Sequence, residues 1–277
     1  MTAQELAQPD TEPGRTRSRK VSITSVVPLG VGGLLTLAAI IEILPRTGIV
    51  RPQDLPPMSV ISVELVDLAQ QPWLWQTIYD TLYVWAIGLL VSVVAGVVLG
   101  LIIGSSLALR NITHSTIEFL RPIPSVALIP LVVLLFGTQY ESALTLVIYA
   151  SFWQVLIQTI YGAIDVDAVA METARSYRFG LLSRVRYVLL PSALPYIMTG
   201  VRLAATVALV LTVTAQLIIG TPGIGHRIGL AENAGNVPQT YALVIITGLL
   251  GVLINLGVRY LEKSLLSWHT SFRGEVR

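Results

Sequence analysis

The chain has 277 residues, of which 53% are hydrophobic and 12% are charged, with no cysteine and a formal net charge of +2. Soluble globular domains carry about 25% charged residues, so this composition excludes a water-soluble protein and predicts an integral membrane protein. The absence of cysteine excludes disulfides and thiolate sites, and the small net charge gives no reason to expect a nucleic-acid surface.

The first twenty residues are polar and end in the basic cluster Arg15, Arg17, Arg19 and Lys20. Such a segment has little apolar surface to bury, so we expect residues 1–20 to form a disordered cytoplasmic tail. We expect residues 21–270 to form one transmembrane domain.

Six apolar runs follow the tail, each near the roughly 20 residues that a helix needs to cross a bilayer. They cover about 23–44, 78–107, 124–138, 142–162, 194–219 and 239–260, with a short helix expected near 58–70. Pro122, Pro124 and Pro130 interrupt the third and shortest run, so we expect it to be bent and buried within the protein. The predicted fold class is therefore an all-α membrane protein with six transmembrane helices.

The distribution of lysine and arginine predicts the orientation. With the N-terminus inside, 14 of these residues fall on inner segments and three on outer segments. The positive-inside rule therefore predicts that both termini are cytoplasmic and that the chain is a multi-pass protein of the plasma (inner) membrane.

Small residues are spaced four apart along the second run, at Gly88, Ser92, Gly96, Gly100 and Gly104. Such a stripe lets helix backbones approach closely in a membrane. A sliding contact and a static contact both fit this pattern, and we favour the static one.

The chemistry-bearing residues give no indication of an enzyme. There is no phosphate-binding loop, and the glycines within residues 220–225 follow an apolar run rather than a strand, which favours a turn outside the membrane. The three histidines, His114, His226 and His269, are too far apart in the chain for a metal-ligand pattern. We expect no catalytic residue, metal or cofactor.

Polar side chains at membrane depth usually face an interior, so they are candidates for a solute path. At 100° per residue, Arg202, Thr206 and Gln216 share one stripe of the fifth run. The fourth run carries a second polar face. The six candidates are Trp153, Gln154, Gln158, Arg202, Thr206 and Gln216. The alternatives are interhelical hydrogen bonding for the glutamines and a structural partner for Arg202.

A long polar interval separates the fourth and fifth runs. Asp165 and Asp167 near its start, with Arg175 and Arg178 some ten residues later, suit the dipole of a helix near 165–178. Long loops without a function are uncommon in compact proteins. We therefore interpret this helix as a surface that another protein contacts, with a solvated connector as the alternative.

The sequence Glu172-Thr173-Ala174, with Leu190-Pro191 after it, resembles the cytoplasmic Glu-Ala-Ala…Gly…Leu-Pro motif of permease subunits of ATP-binding-cassette importers. The segments 120–131 and 191–195 resemble the nitrate/sulfonate/taurine branch, and the resemblance covers residues 20–270. Two departures stand out. The glycine of the motif falls on Arg178, with Gly180 nearest, so the turn is either shifted or uses Arg178. The branch's Ala-Glu pair is Ala215-Gln216 here, which puts the usual substrate class in question.

The resemblance implies a type I importer permease of the MetI-like fold. Two such subunits, expected as a homodimer, would form a central path for a small anionic solute that an extracytoplasmic binding protein delivers. Two cytoplasmic ATP-binding subunits would contact the coupling helix. The residues expected at that contact are Asp167, Ala170, Glu172, Ala174, Arg175, Arg178 and Gly180. The rival interpretation is an ion-coupled secondary carrier that acts without an ATPase.

Overall fold

The computed structural model describes residues 23–266, with side chains from residue 30 onward, and this part of the chain contains helices and turns but no β-strand. The helices are α1 (Ile23–Arg46), α2 (Met58–Ala69), α3 (Pro72–Gly104), α4 (Leu107–Leu120), α5 (Ile129–Phe136), α6 (Tyr140–Ile164), α7 (Ala168–Ser176), α8 (Leu181–Arg184), α9 (Leu190–Ile219), α10 (Ile224–Asn233) and α11 (Val237–Leu265). The π-helical turn Val185–Leu189 joins α8 to α9. The all-α prediction is confirmed, and the expected tail of residues 1–20 lies outside the described residues.

The number of membrane spans differs from the prediction. Among the described residues, four helices are long and apolar enough to cross a bilayer: α3, α6, the continuous α8–α9 helix and α11. The segment Ser125–Phe136 meets the same criterion only together with α4, from which it is bent by 77°. The predicted count of six is therefore not reproduced, because the structure has four such helices, or five with the bent pair. The first predicted run corresponds to α1, which has 24 residues, but the side chains of residues 23–29 are outside the described part.

The bend between α4 and α5 has a local cause in the sequence. Arg121 keeps helical dihedrals, but Pro122 has no N–H to continue the hydrogen bonds of α4 and Pro124 has extended backbone, so the chain leaves α4 and makes only a short 3-10 turn before α5. Pro130 is accommodated in the first turn of α5, where its missing N–H has no helical partner to lose. Gly137, with φ of 69°, ends α5. The third run is thus bent as expected, but its helical part begins earlier, at Leu107. The expected burial is wrong, because most side chains of α5 are exposed, among them Leu134 and Leu135.

The centre of the fold is α6, which packs between α3 on one side and α9 on the other. A β-carbon built on Gly96 would lie 2.8 Å from Cβ of Val155, and one on Gly100 would lie 2.6 Å from Cβ of Thr159. These separations are below normal contact, so the α3 backbone touches α6 at these positions. This geometry favours the static interpretation of the small-residue stripe over a sliding contact.

The outward faces of the long helices are apolar. On α3, small residues are buried against α6 while Leu90, Val94 and Val98 are exposed. Large apolar side chains outside and glycines inside reverse the arrangement of a soluble helix. They suit a lipid surrounding, in which close packing, rather than the hydrophobic effect, holds helices together.

Candidate functional site

The polar connector between α6 and α9 contains the helix α7, which lies within the predicted range 165–178. Asp167 precedes its first residue, and the Asp167 carboxylate accepts a hydrogen bond from the Val169 backbone N–H at 2.8 Å. This contact caps the helix N-terminus, where a negative charge is also favourable for the helix dipole. Upstream, the Tyr196 hydroxyl donates to Asp165 Oδ2 at 2.7 Å. The start of the connector is therefore attached to α9.

The end of α7 shows how this chain manages without the glycine of the motif. Arg178 has φ of +56°, the only positive φ among the described non-glycine residues. Its N–H donates to the Arg175 carbonyl and the Phe179 N–H donates to the Ala174 carbonyl, both at 2.9 Å. This pair of bonds is a Schellman motif, with Arg178 in the left-handed position that glycine usually occupies. The turn is not shifted to Gly180, whose φ is −61°.

Most of the predicted contact residues on the connector are accessible. On the inner face of α7, Ala174 is buried and Met171 packs on the apolar cluster around Leu189. The residues that remain exposed are Asp167, Ala170, Glu172, Arg175, Arg178 and Gly180. The residues that follow α7 add exposed apolar side chains, among them Tyr177 and Leu182. A polar helix flanked by exposed apolar residues is typical of a protein-binding surface. The assignment of these residues to an ATPase contact stays a prediction.

The predicted stripe of α9 lines a groove between α9 and α11. The groove has a volume of about 520 Å³, and the stripe contributes Arg202, Thr206, Leu209 and Val213. The Arg202 guanidinium forms an ion pair with the carboxylate of Glu262 on α11, which is buried. Arg202 therefore has the structural partner that we gave as the alternative to a substrate contact, while it still lines the groove.

Gln216 belongs to a different part of the molecule, although it lies on the same stripe in projection. Its side chain is fully buried, and Oε1 accepts hydrogen bonds from the Thr81 hydroxyl at 3.0 Å and from the Gly225 N–H at 3.2 Å. The Thr81 oxygen also accepts from the Ile224 N–H at 2.9 Å. Gln216 thus joins α3, α9 and the start of α10, which favours the interhelical interpretation over path lining.

The candidates on α6 are not brought into the groove of Arg202. Trp153 is buried in an aromatic cluster with Tyr149 and Phe152, with ring centroids 5.9 and 5.1 Å away, and its indole N–H has no hydrogen-bond partner among the described residues. Gln154 and Gln158 are half-buried, on the side of α6 that meets α9. Their role in a path stays a prediction.

Sequence reasoning missed two partners. Glu262 follows the end of the sixth predicted run, so it was not considered as the counter-ion of Arg202. Thr81 resembles an ordinary helix residue, and nothing local indicates its bond to Gln216, 135 residues away. A lone carboxylate near the end of an apolar run, with a lone arginine in another, is the one signal that could have identified the first pair.

Comparison with known proteins identifies the family. Residues 96–267 match the family described as "Binding-protein-dependent transport system inner membrane component". A permease of Bacillus subtilis (strain 168), assigned by its name to aliphatic sulfonates transport, is 31% identical over 245 residues, 87% of this chain and 89% of that protein. The taurine transport system permease protein of Escherichia coli (strain K12) is 29% identical over 256 residues, 91% of this chain and 92% of that protein. The nitrate import permease protein of Leptolyngbya laminosa is 29% identical over 61% of each chain.

Solved structures with the same fold include a chain of the MetNI methionine ABC transporter in an inward-facing conformation. It has a TM-score of 0.61 and 17% identity, covering 70% of this chain and 96% of that chain. A chain of an amino acid ABC transporter crystallised with histidines has a TM-score of 0.55 and 20% identity, covering 69% of this chain and 92% of that chain. At such identities the likeness shows the fold alone. Because the family match spans more than half of the sequence, the chain belongs to the inner membrane components of binding-protein-dependent transport systems.

Proposed function

We propose that this permease subunit passes a small anionic solute across the plasma (inner) membrane as part of an ATP-driven importer. The relatives described above are named for aliphatic sulfonates, taurine and nitrate, whose shared chemistry is a small oxyanion group. Arg202 lines the groove between α9 and α11, but Glu262 neutralises its charge, so the choice of an anion is supported by the relatives alone. The replacement of the branch's glutamate by Gln216 does not argue against an anionic solute, because the amide oxygen of Gln216 accepts hydrogen bonds between helices rather than lining a cavity.

The observation that carries the proposal is α7, an exposed and capped helix between two membrane-crossing helices. This chain has no phosphate-binding loop of its own, so ATP hydrolysis requires a partner. Two cytoplasmic ATP-binding subunits contact α7 and the residues after it, one on each of two permease copies. A second copy of this chain completes the solute path, and an extracytoplasmic binding protein delivers the solute. Transport, rather than catalysis, is the role of this subunit.

The proposed orientation places α7 and both termini in the cytoplasm. Its support is the excess of arginine and lysine on that side, 14 against three. ATP binding draws the two ATPases together, and α7 moves with them. The attachment of Asp165 to Tyr196 carries this movement directly into α9. The path then alternates between outward and inward opening.

A charge reversal on α7 tests this function. Glu172→Lys replaces an exposed carboxylate on the proposed contact surface, so it should abolish solute uptake and solute-stimulated ATP hydrolysis by the reconstituted transporter. Glu232→Lys makes the same reversal at an exposed position of α10, outside the proposed contact, and should leave both activities intact. Both variants should insert into the membrane at normal levels. Normal solute uptake and ATP hydrolysis in Glu172→Lys would contradict the assignment of α7 to the ATPase contact. Uptake without any ATPase subunit would favour an ion-coupled carrier.

A further inference from the structure

A second cavity lies on the other side of α6, away from the groove of Arg202. Its volume is about 820 Å³, and it is enclosed by the end of α3, by α4 and by the last turns of α6. The apolar wall, from α3 and α6, includes Ile103, Ile157 and Ile160. The polar wall, from α4 and the residue after it, includes Arg110, His114 and Arg121. The cavity therefore combines an apolar side with a basic side.

The two arginines of this cavity have no carboxylate in ion-pair contact among residues 23–266. Neither Arg110 nor Arg121 forms an ion pair within residues 23–266, and Nε of Arg110 is buried without a hydrogen-bond partner. The carboxylate that lines the cavity, Glu118, is 3.4 Å from the His114 ring nitrogen instead. Within the described part of the chain, neither guanidinium group is neutralised by a carboxylate, so both can bind an anion, and guanidinium matches the geometry of phosphate oxygens.

The cavity is at the membrane boundary rather than at the centre of the span. Arg110 and Ile164 line both this cavity and a neighbouring one that reaches Glu172 behind α7. On α6 the lining begins at Ile157 and continues to the last residue of the helix. In addition, α4 has no buried residue, so it covers the cavity loosely. This depth is where lipid headgroups meet the ends of membrane helices.

The size and lining of the cavity define the ligand. A volume of this order accommodates a ligand of drug size, since such sites measure about 300–1,000 Å³. An oxyanion of a few atoms would fill little of it and would gain nothing from the isoleucine wall. A molecule with a phosphate at one end and a hydrocarbon chain at the other would use both walls. Basic pockets between membrane helices on the cytoplasmic side are known to suit anionic lipid headgroups.

We propose that this cavity binds an anionic phospholipid, with its phosphate on Arg110 and Arg121 and one acyl chain along the isoleucines of α3 and α6. The cavity is lined by none of the residues that we predict for the solute path, and the proposal does not depend on which solute the importer carries. Because Arg110 also borders the cavity behind α7, the lipid sits beside the helix that we assign to the ATPase contact.

Lipid retention tests the site. The permease is purified in mild detergent, washed, and analysed by native mass spectrometry for bound phosphatidylglycerol. The double variant Arg110→Gln/Arg121→Gln should bind this lipid about 30-fold more weakly than the wild type. Arg186→Gln is the matched control, because Arg186 is exposed and lies over the Tyr187 ring outside the cavity. Equal retention by all three proteins would overturn the proposal.

A titration of the wild type keeps the test independent of how the variants fold. Phosphatidylglycerol should raise the thermal unfolding midpoint of the delipidated protein, whereas phosphatidylcholine should not. Inorganic phosphate and methanesulfonate report whether a soluble anion is the occupant. A rise with either soluble anion but none with phosphatidylglycerol would overturn the lipid assignment. So would a double variant that loses permease dimerisation while its lipid content is unchanged, since a second copy would then fill the cavity.

Discussion

Arg178 occupies a backbone position that favours glycine, so Arg178→Gly should stabilise the turn after α7. A left-handed conformation costs a non-glycine residue about 1–2 kcal/mol. Glycine also has more conformational entropy in the unfolded chain, which offsets about 0.4–1 kcal/mol of this stabilisation. The net gain is about 1 kcal/mol, which corresponds to roughly a fivefold lower population of the open turn. Both hydrogen bonds of the turn use backbone groups, so the substitution retains them.

Hydrogen exchange of the purified permease, resolved to the peptide that contains residues 174–180, measures this population. Arg178→Gly should slow exchange there about fivefold. Arg178→Ala keeps the positive φ and removes only the guanidinium, so it should leave the rate near that of the wild type. Gly180→Ala should be tolerated, because its φ is −61° and a β-carbon there meets no atom within 4 Å. Faster exchange in Gly180→Ala, with no effect of Arg178→Gly, would refute this account by placing the glycine requirement at residue 180.

Two further predictions concern packing and buried polar groups. Gly96→Ala places a β-carbon 2.8 Å from a side chain of α6, so it should destabilise the protein by about 1–3 kcal/mol. The control Gly257→Ala, whose β-carbon meets no atom within 4 Å, should not change the stability. Equal thermal unfolding midpoints for the two variants would contradict the tight contact. Gln216→Leu removes the acceptor of the hydrogen bonds from Thr81 and Gly225, so it should lower the free energy of unfolding by about 1–3 kcal/mol. Gln216→Glu keeps an acceptor at the N-terminus of α10 and should fold. A Leu variant with the thermal unfolding midpoint of the wild type would show that these bonds contribute nothing.

The sequence predicted the features that depend on residues close together in the chain. The charges at both ends of the polar connector, with the cap residue Asp167, predicted α7. The four-residue spacing of small residues predicted a close contact along one face of α3, and the structure shows that its partner is α6. The departure at Arg178 left two possible turns, and the structure has the one in which Arg178 takes a positive φ.

Features that depend on position along the helix axis could not be predicted. A helical wheel places Arg202 and Gln216 on one stripe but discards the separation of about 21 Å between them along the axis. Their neighbours therefore differ: Arg202 meets α11, while Gln216 meets α3 and α10. Likewise, the prolines after α4 indicated a bend, but its angle of 77° depends on tertiary packing, so the sequence could not show that the third run is not one straight span.

The glycine-mediated seams on both sides of α6 have a mechanical consequence. Because glycines bring the backbones of α3, α6 and α9 into contact, few long side chains lie between these helices that could rearrange when one helix is displaced. The hydrogen bond between Tyr196 and Asp165 attaches the polar connector to the N-terminal part of α9, which has 30 residues and is about 45 Å long. If a partner displaces the connector, we therefore expect α3, α6 and α9 to tilt together as one rigid body rather than to absorb the displacement in their side chains.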